Sequence, residues 1–220
     1  MQNRKEFIDN FFRHLNDAKV DFLIPRKIDL VYDTNIKDDI DVIIKTESMK
    51  SFIKSSKRFG FVLKKDTHIL NSFLYGAKPH YHFLNFKEEV HIDVVQKWQH
   101  KSIDFDRCGR RKINKWLPVH NELQIEIWRS ATQHNRISWA RVPSKEIELC
   151  HIMCHVLLDK ETISAYYKER IEYLIRICDQ KKLLNYLELV FYKFSKRYID
   201  ICLLSDFDNI HNEYISFDKY

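Results

Sequence analysis

The residues best suited to chemistry are acids set among branched apolar side chains. Asp38-Asp39-Ile40-Asp41-Val42-Ile43-Ile44 reads as a strand, and Val90-His91-Ile92-Asp93-Val94-Val95 reads as another. Asp39 and Asp41 are two apart, so on a strand they face one side while Ile40 and Val42 face the other. Carboxylates sharing a face repel, and burying them is costly unless a cation compensates. Mg²⁺ and Mn²⁺ suit such oxygen ligands. The pattern predicts a metal site made of Asp39, Asp41 and Asp93, with Asp38 replacing Asp39 if the register slips by one residue. His91 falls on the face of Asp93, where it can contact substrate or orient the carboxylate. Two-metal chemistry is the natural use of three such acids. Asp39 and Asp41 would bridge the ions, and Asp93 would complete the site and assist deprotonation of an acceptor.

The elements that position these acids follow from periodicity. Phe7, Ile8, Phe11, Phe12 and Leu15 predict an amphipathic helix over residues 3–18. Residues 20–24 form a short strand ended by Pro25, and one helical turn is expected at 28–32. A helix over 46–59 has Gly60 at its C-terminal cap. Strands follow at 61–63, 81–86 and 90–95, with a tight turn at Lys87-Glu88-Glu89 and strand or loop at 68–75. Residues 100–120 read as basic and irregular. Helices are expected over 147–158 and 163–177, with one or two more over 183–204 and a polar, frayed tail after Ser205. The expected fold class is α+β: a small mixed-sheet unit at 1–105, then a helical unit at 106–220 that closes an active-site cleft.

With 220 residues, 45% of them hydrophobic and 14% aromatic, the chain can bury a real core. The net charge of +6 favours anionic partners: a nucleotide, a phosphorylated acceptor or, ranked second, a nucleic acid. Five cysteines and a charged N-terminal stretch predict a reducing, cytoplasmic setting without a signal peptide, and no apolar run predicts a membrane span.

The order of these motifs resembles the nucleotidyltransferase superfamily, the polymerase-beta-like fold. Asp21-Phe22-Leu23-Ile24, then Asp39-Ile40-Asp41-Val42-Ile43-Ile44, then His91-Ile92-Asp93-Val94-Val95 match its short strand, D-x-D strand and third Asp. Within the superfamily the chain is most similar to bacterial nucleotidyltransferases associated with surface-polysaccharide genes. In those, an Arg follows the first strand, as Arg26 does here, and the helical half carries a His followed by Asp-Lys, matched by His155 and Asp159-Lys160. The resemblance implies Mg²⁺ or Mn²⁺, a nucleoside triphosphate such as ATP, and transfer of a nucleoside monophosphate to a hydroxyl or phosphate acceptor. It also implies that Arg26, His155 and Lys160 contact the nucleotide. The chain departs from the superfamily's Gly-Ser phosphate loop: Pro25-Arg26-Lys27-Ile28 contains no Gly, so Arg26 and Lys27 would hold phosphate by charge. The phosphocholine and sugar-phosphate transferases related to fukutin share the Asp-Asp-Ile-Asp string but have a Gly-rich segment that is missing here. An RNA-modifying or toxin-type transferase and a non-catalytic nucleotide-binding module are the alternatives.

Other patterns carry less. Cys150 with Cys154, and His151 with His155, lie one helical turn apart, half of a metal site at most, on an apolar helix that favours a core role. Arg107, Arg110, Arg111, Lys112 and Lys115, flanked by Trp98 and Trp116, form a surface run or a groove for acceptor or base. Tyr167, Lys168 and Arg170 are candidate triphosphate contacts or an ordinary polar helix face, and the aromatic stripe from Tyr186 to Tyr198 is core.

Overall fold

The computed structural model describes residues 4–33, 39–65, 76–77, 80–105, 108–160 and 162–217, without the side chains of Lys65 and Asn114. The stretch expected as strand or loop at 68–75, and the site candidate Asp38, lie outside the described residues. The protein is α+β and divides into two compact units, 1–98 with 131–143, and 99–130 with 144–220. The boundary therefore falls at Trp98, seven residues before the expected one at 105, and a later segment returns to the first unit.

The first unit is built on a five-stranded mixed sheet. Its strands are β1 (Phe22–Leu23), β2 (Ile40–Ile44), β3 (Val62–Lys65), β4 (Tyr81–Asn85) and β5 (Val90–Val95), in the order β1-β2-β5-β4-β3. β2 and β5 are parallel, and every other neighbouring pair is antiparallel. Alternation sets the two faces. Ile40, Val42 and Ile44 of β2 and Val90, Ile92 and Val94 of β5 enter one buried cluster with Phe7, Phe11 and Phe12 of helix α1 (Arg4–Asp17) and Phe52 of helix α2 (Met49–Arg58). Asp41, His91 and Asp93 alternate with those residues, so they occupy the opposite face. Gly60 closes α2 with φ +77, a conformation that is free of strain only for glycine.

The returning segment 131–143 is held by specific contacts. It forms a short hairpin, β8 (Thr132–Gln133) with β9 (Arg141–Val142), and the carbonyl of Arg141 accepts the Ile24 N–H at 2.9 Å beyond β1. Trp139 stacks on Phe12 with ring centres 4.2 Å apart, and its indole N–H donates to Asp9 at 2.6 Å. A lone tryptophan in a polar stretch gives no periodic signal, so this packing is not visible in the sequence.

The second unit corrects two expectations. Residues 99–105 and 111–118 are not irregular. β6 (Gln99–Phe105) and β7 (Arg111–Pro118) form an antiparallel hairpin with a register shift at Ser102/Ile103. The shift and the charged residues break the alternation by which a strand is recognised. The tail also orders: helix α8 (Ile210–Ser216) buries Tyr214 against Phe191 and Phe194. Helix α3 (Asn121–Arg129) precedes α4 (Lys145–Cys154), which starts at a Ser144 cap and continues as a π-helical turn through His155–Asp159. Then come α5 (Ala165–Ile177), α6 (Gln180–Phe191) and α7 (Phe194–Leu204). Among the described residues no helix is long and apolar enough to cross a membrane.

Candidate metal centre

Parallel pairing of β2 with β5 sets Asp41 directly across from Asp93, their Cα atoms being register partners. Asp39 lies just before β2. Each of the three residues is partly buried, and each can offer a carboxylate oxygen within 4.8 Å of the other two. Oxygens ligating one Mg²⁺ at 2.0–2.1 Å are at most about 4.2 Å apart, and Ca²⁺-sized ions allow somewhat more. The predicted triad thus comes together in space.

The surroundings tie one oxygen of each paired carboxylate and leave the other open. Arg26 Nη2 donates to Asp41 Oδ1 at 2.9 Å, between side chains only 11% and 14% exposed. His80 Nδ1 lies 3.1 Å from Asp93 Oδ2. Asp41 Oδ2 and Asp93 Oδ1 are buried with no hydrogen-bond partner among the described residues. Buried anionic oxygens in that state are costly, and a cation relieves the cost.

The electrostatics agree. Burial pushes the Asp41 carboxyl up from 3.8 to about 6; Arg26 and Lys27 pull it down, while the charges of Asp39 and Asp93 push it higher. Even with a guanidinium in contact, burial outweighs the positive charge at Asp41. Asp93 behaves oppositely. Burial raises it, but the His80 hydrogen bond and the charges of His80, His82 and Arg26 outweigh burial and hold it below its ordinary value. Burial thus keeps one paired acid reluctant to ionise, while its partners hold the other as an anion. This donor set fits a divalent cation: hard oxygen ligands, two of them buried without a hydrogen-bond partner among the described residues.

Chain direction explains how Arg26 arrives. β1 runs antiparallel to β2 with Leu23 against Ile43, so the residues after β1 return alongside Asp41. Lys27 then turns the chain in a left-handed conformation, φ 57 and ψ 24, and caps a 3-10 turn at Ile28–Leu30. Glycine takes that conformation without strain, which is the service a Gly in a phosphate loop would perform. Arg26, Lys27, Arg4, Asp39 and Asp41 line a pocket of about 20 Å³. That is room for one water or one ion, roughly 10–15 Å³ being the minimum.

Two histidines at the site were not anticipated. His82 is the register partner of Asp93 across β4 and β5, with Nδ1 at 3.8 Å from Asp93 Oδ1 and 3.1 Å from Nε2 of His91. Hairpin arithmetic reveals it: the turn at 87–89 sets Asn85 against Val90, and each step back along β4 matches a step forward along β5, so 82 meets 93. His80 follows at the next position of the same parity, just outside β4.

His155 and Lys160 lie in the second unit. His155 Nδ1 is 3.2 Å from Asp159 Oδ2, one turn along the π-helical segment. Asp159 Oδ1 accepts the Lys101 N–H at 3.0 Å, and the Lys160 carbonyl lies 2.7 Å from His211 Nε2. These contacts tie the π turn to β6 and α8. Arg170 makes a two-pronged pair with Glu148 at 2.8 and 2.9 Å. Cys150, Cys154, Cys178 and Cys202 are buried free thiols and Cys108 is exposed. Cys150 and Cys154 join no cation-ligating group among the described residues. Trp98 is buried, and Trp116 lies beneath the Lys101 ammonium at 5.7 Å.

Compared with protein-family models, curated proteins and solved structures, the chain matches none of them.

Proposed function

We propose that the protein is a divalent-metal-dependent nucleotidyltransferase that moves a nucleoside monophosphate from an NTP to a hydroxyl or phosphate acceptor. The observation that carries the reading is the pair Asp41 and Asp93, in register on parallel strands, each with one oxygen tied and one left open. Asp39, Asp41 and Asp93 hold Mg²⁺ or Mn²⁺. Bound there, such an ion neutralises phosphate charge and acidifies the attacking hydroxyl. The acceptor oxygen bonds to the α-phosphorus as the bond to the pyrophosphate leaving group breaks, and the acceptor proton passes to Asp93. Arg26 is committed to Asp41, so it acts by fixing that ligand. Lys27, on the wall of the same pocket, meets the phosphates. His155 and Lys160 are proposed as nucleotide contacts on the resemblance alone.

A second reading has its own support. Arg26 already offsets one carboxylate, and the pocket among the described residues has room for one ion. A cation-binding module without turnover fits those two facts.

Pyrophosphate release separates the two. The protein is incubated with each of the four NTPs, Mg²⁺ or Mn²⁺, and a panel of sugars, sugar phosphates and RNA. The transferase reading predicts metal-dependent pyrophosphate release that Asp41→Asn and Asp93→Asn abolish. Metal binding with no release from any combination favours the module.

A further inference from the structure

The second unit contains a cavity of about 520 Å³ between the β6–β7 hairpin and helices α6 and α8. That volume lies within the range of ligand sites, roughly 300–1,000 Å³. Strand pairing builds one wall. His100 of β6 is the register partner of Leu117 of β7, so the two side chains share a face, and both line the cavity. The register shift between Ser102 and Ile103 re-aims β6, and these consecutive residues line it as well. Leu189 and Val190 add apolar surface from α6.

Two observations point to an occupant. The first is His100, a cavity-lining side chain only 8% exposed. Its Nδ1 lies 2.6 Å from the Lys101 carbonyl, which makes Nδ1 the donor and leaves Nε2 with a lone pair. Nε2 has no hydrogen bond to a described residue. Burial pulls the pKa of the ring down from 6.5 to about 4 against the pull of the Lys101 carbonyl, so the ring is neutral and Nε2 is an acceptor. A buried acceptor without a partner is costly, and a donor on a ligand recovers that cost. The second is Tyr192, which lines the same cavity and is 63% exposed, unusual for a side chain of that size. It breaks the chain between α6 and α7 with φ 49 and ψ −128, a conformation that is an outlier for a bulky residue. The strain is held in place rather than relaxed. The Tyr192 carbonyl accepts both the N–H and the hydroxyl of Ser195, at 3.2 and 2.7 Å, and Ser195 is fully buried. Strain maintained in this way gathers at ligand clamps.

We propose that this cavity binds a small aromatic molecule of the phenol class, its ring packed against Tyr192 and its hydroxyl donating to His100 Nε2. Apolar walls and an exposed ring suit an aromatic body, and an imidazole with one open lone pair selects a donor on that body over an acceptor. The proposal rests neither on the charge of Arg111, which also lines the cavity, nor on the nucleotidyl-transfer reading.

The test uses two fluorescent probes of matched shape on the full chain: 2-naphthol, which carries the donor, and 2-methylnaphthalene, which replaces the hydroxyl by a methyl group. The parent should bind 2-naphthol saturably with one-to-one stoichiometry. His100→Leu removes the acceptor and should shift the ratio of the two affinities about tenfold towards the methyl compound. His100→Gln keeps an acceptor and should shift the ratio less. Val190→Trp should fill the space and block both probes. Tyr192→Gly removes the ring while relieving the backbone, so it tests the packing without touching the buried wall. It should weaken both probes about tenfold. Absence of saturable 2-naphthol binding by the parent, an unchanged ratio in folded His100→Leu, or undiminished binding by Tyr192→Gly overturns the proposal.

Discussion

Asp41 and Asp93 are partners across two parallel strands, and each is gripped from outside by a different group, Arg26 in one case and His80 in the other. One oxygen of each carboxylate is left without a hydrogen bond among the described residues, with His82 Nδ1 3.8 Å from that of Asp93. The surrounding groups leave the two acids in different states: Asp41 is poised near pH 6 while Asp93 stays ionised at lower pH.

This asymmetry predicts how cation binding depends on pH. Below about pH 6 a proton competes for Asp41, so apparent Mn²⁺ affinity should fall by up to about tenfold per pH unit. In the metal-free protein the sign for stability follows from the same value. The folded pKa of Asp41 lies above 3.8, so the fold binds the proton more tightly than the unfolded chain does. The cost of ionising Asp41 is absent below pH 4, grows between pH 4 and 6, and is full above, at roughly 3 kcal/mol. The lowered pKa of Asp93 acts oppositely, its contribution being lost as pH falls through the folded value. Calorimetric Mn²⁺ titrations between pH 5 and 7 check the first statement, and urea melts of the parent and Asp41→Asn check the second.

His80 touches Asp93 and lies outside the acidic triad. His80→Ala should leave the strands paired but free Asp93 to rotate, weakening Mn²⁺ binding by about 10–100-fold, the usual cost of losing a group that orients a ligand. His80→Gln, which can still donate to Oδ2, should recover part of the loss.

Lys27 carries a left-handed backbone and a positive charge at once. Lys27→Gly should raise stability by about 1 kcal/mol or leave it unchanged, since glycine adopts φ 57 freely but enlarges the unfolded ensemble. The same change should weaken metal-dependent NTP binding. Thermal melts and nucleotide titrations on one variant read both effects. If NTP affinity is unchanged, Lys27 has no role with phosphate.

His100 makes the second unit acid-sensitive. Its folded pKa near 4 lies below 6.5, so the unfolded chain binds the proton more tightly between those values. Stability from this group is complete above pH 6.5 and is lost as pH falls to 4, at most about 3 kcal/mol. Urea melts of His100→Gln should be flatter across that window than those of the parent.

Much of this was legible in the sequence because periodicity and burial coincide. Ile40, Val42 and Ile44 alternate with Asp41, and Val90, Ile92 and Val94 alternate with His91 and Asp93, so both acidic strands and their open face could be read directly. What escaped was non-local or irregular. The contact of Arg26 with Asp41 depends on the antiparallel turn-back after β1, which no local pattern shows. The β6–β7 hairpin hid behind a register shift and a run of charges, and α8 behind a polar composition in which Tyr214 does the anchoring. The return of Trp139 onto Phe12 spans more than a hundred residues, and no local pattern encodes it.

The central claim is that Asp39, Asp41 and Asp93 hold a divalent ion on which nucleotide binding depends. Mn²⁺ titration followed by electron paramagnetic resonance, with and without ATP, tests it most directly. The account predicts saturable Mn²⁺ binding by the parent, ATP binding only in its presence, and loss of both in the Asp41→Asn, Asp93→Asn double variant with the fold retained by circular dichroism. Absence of Mn²⁺ binding by the parent, or equal binding by the folded double variant, would contradict it.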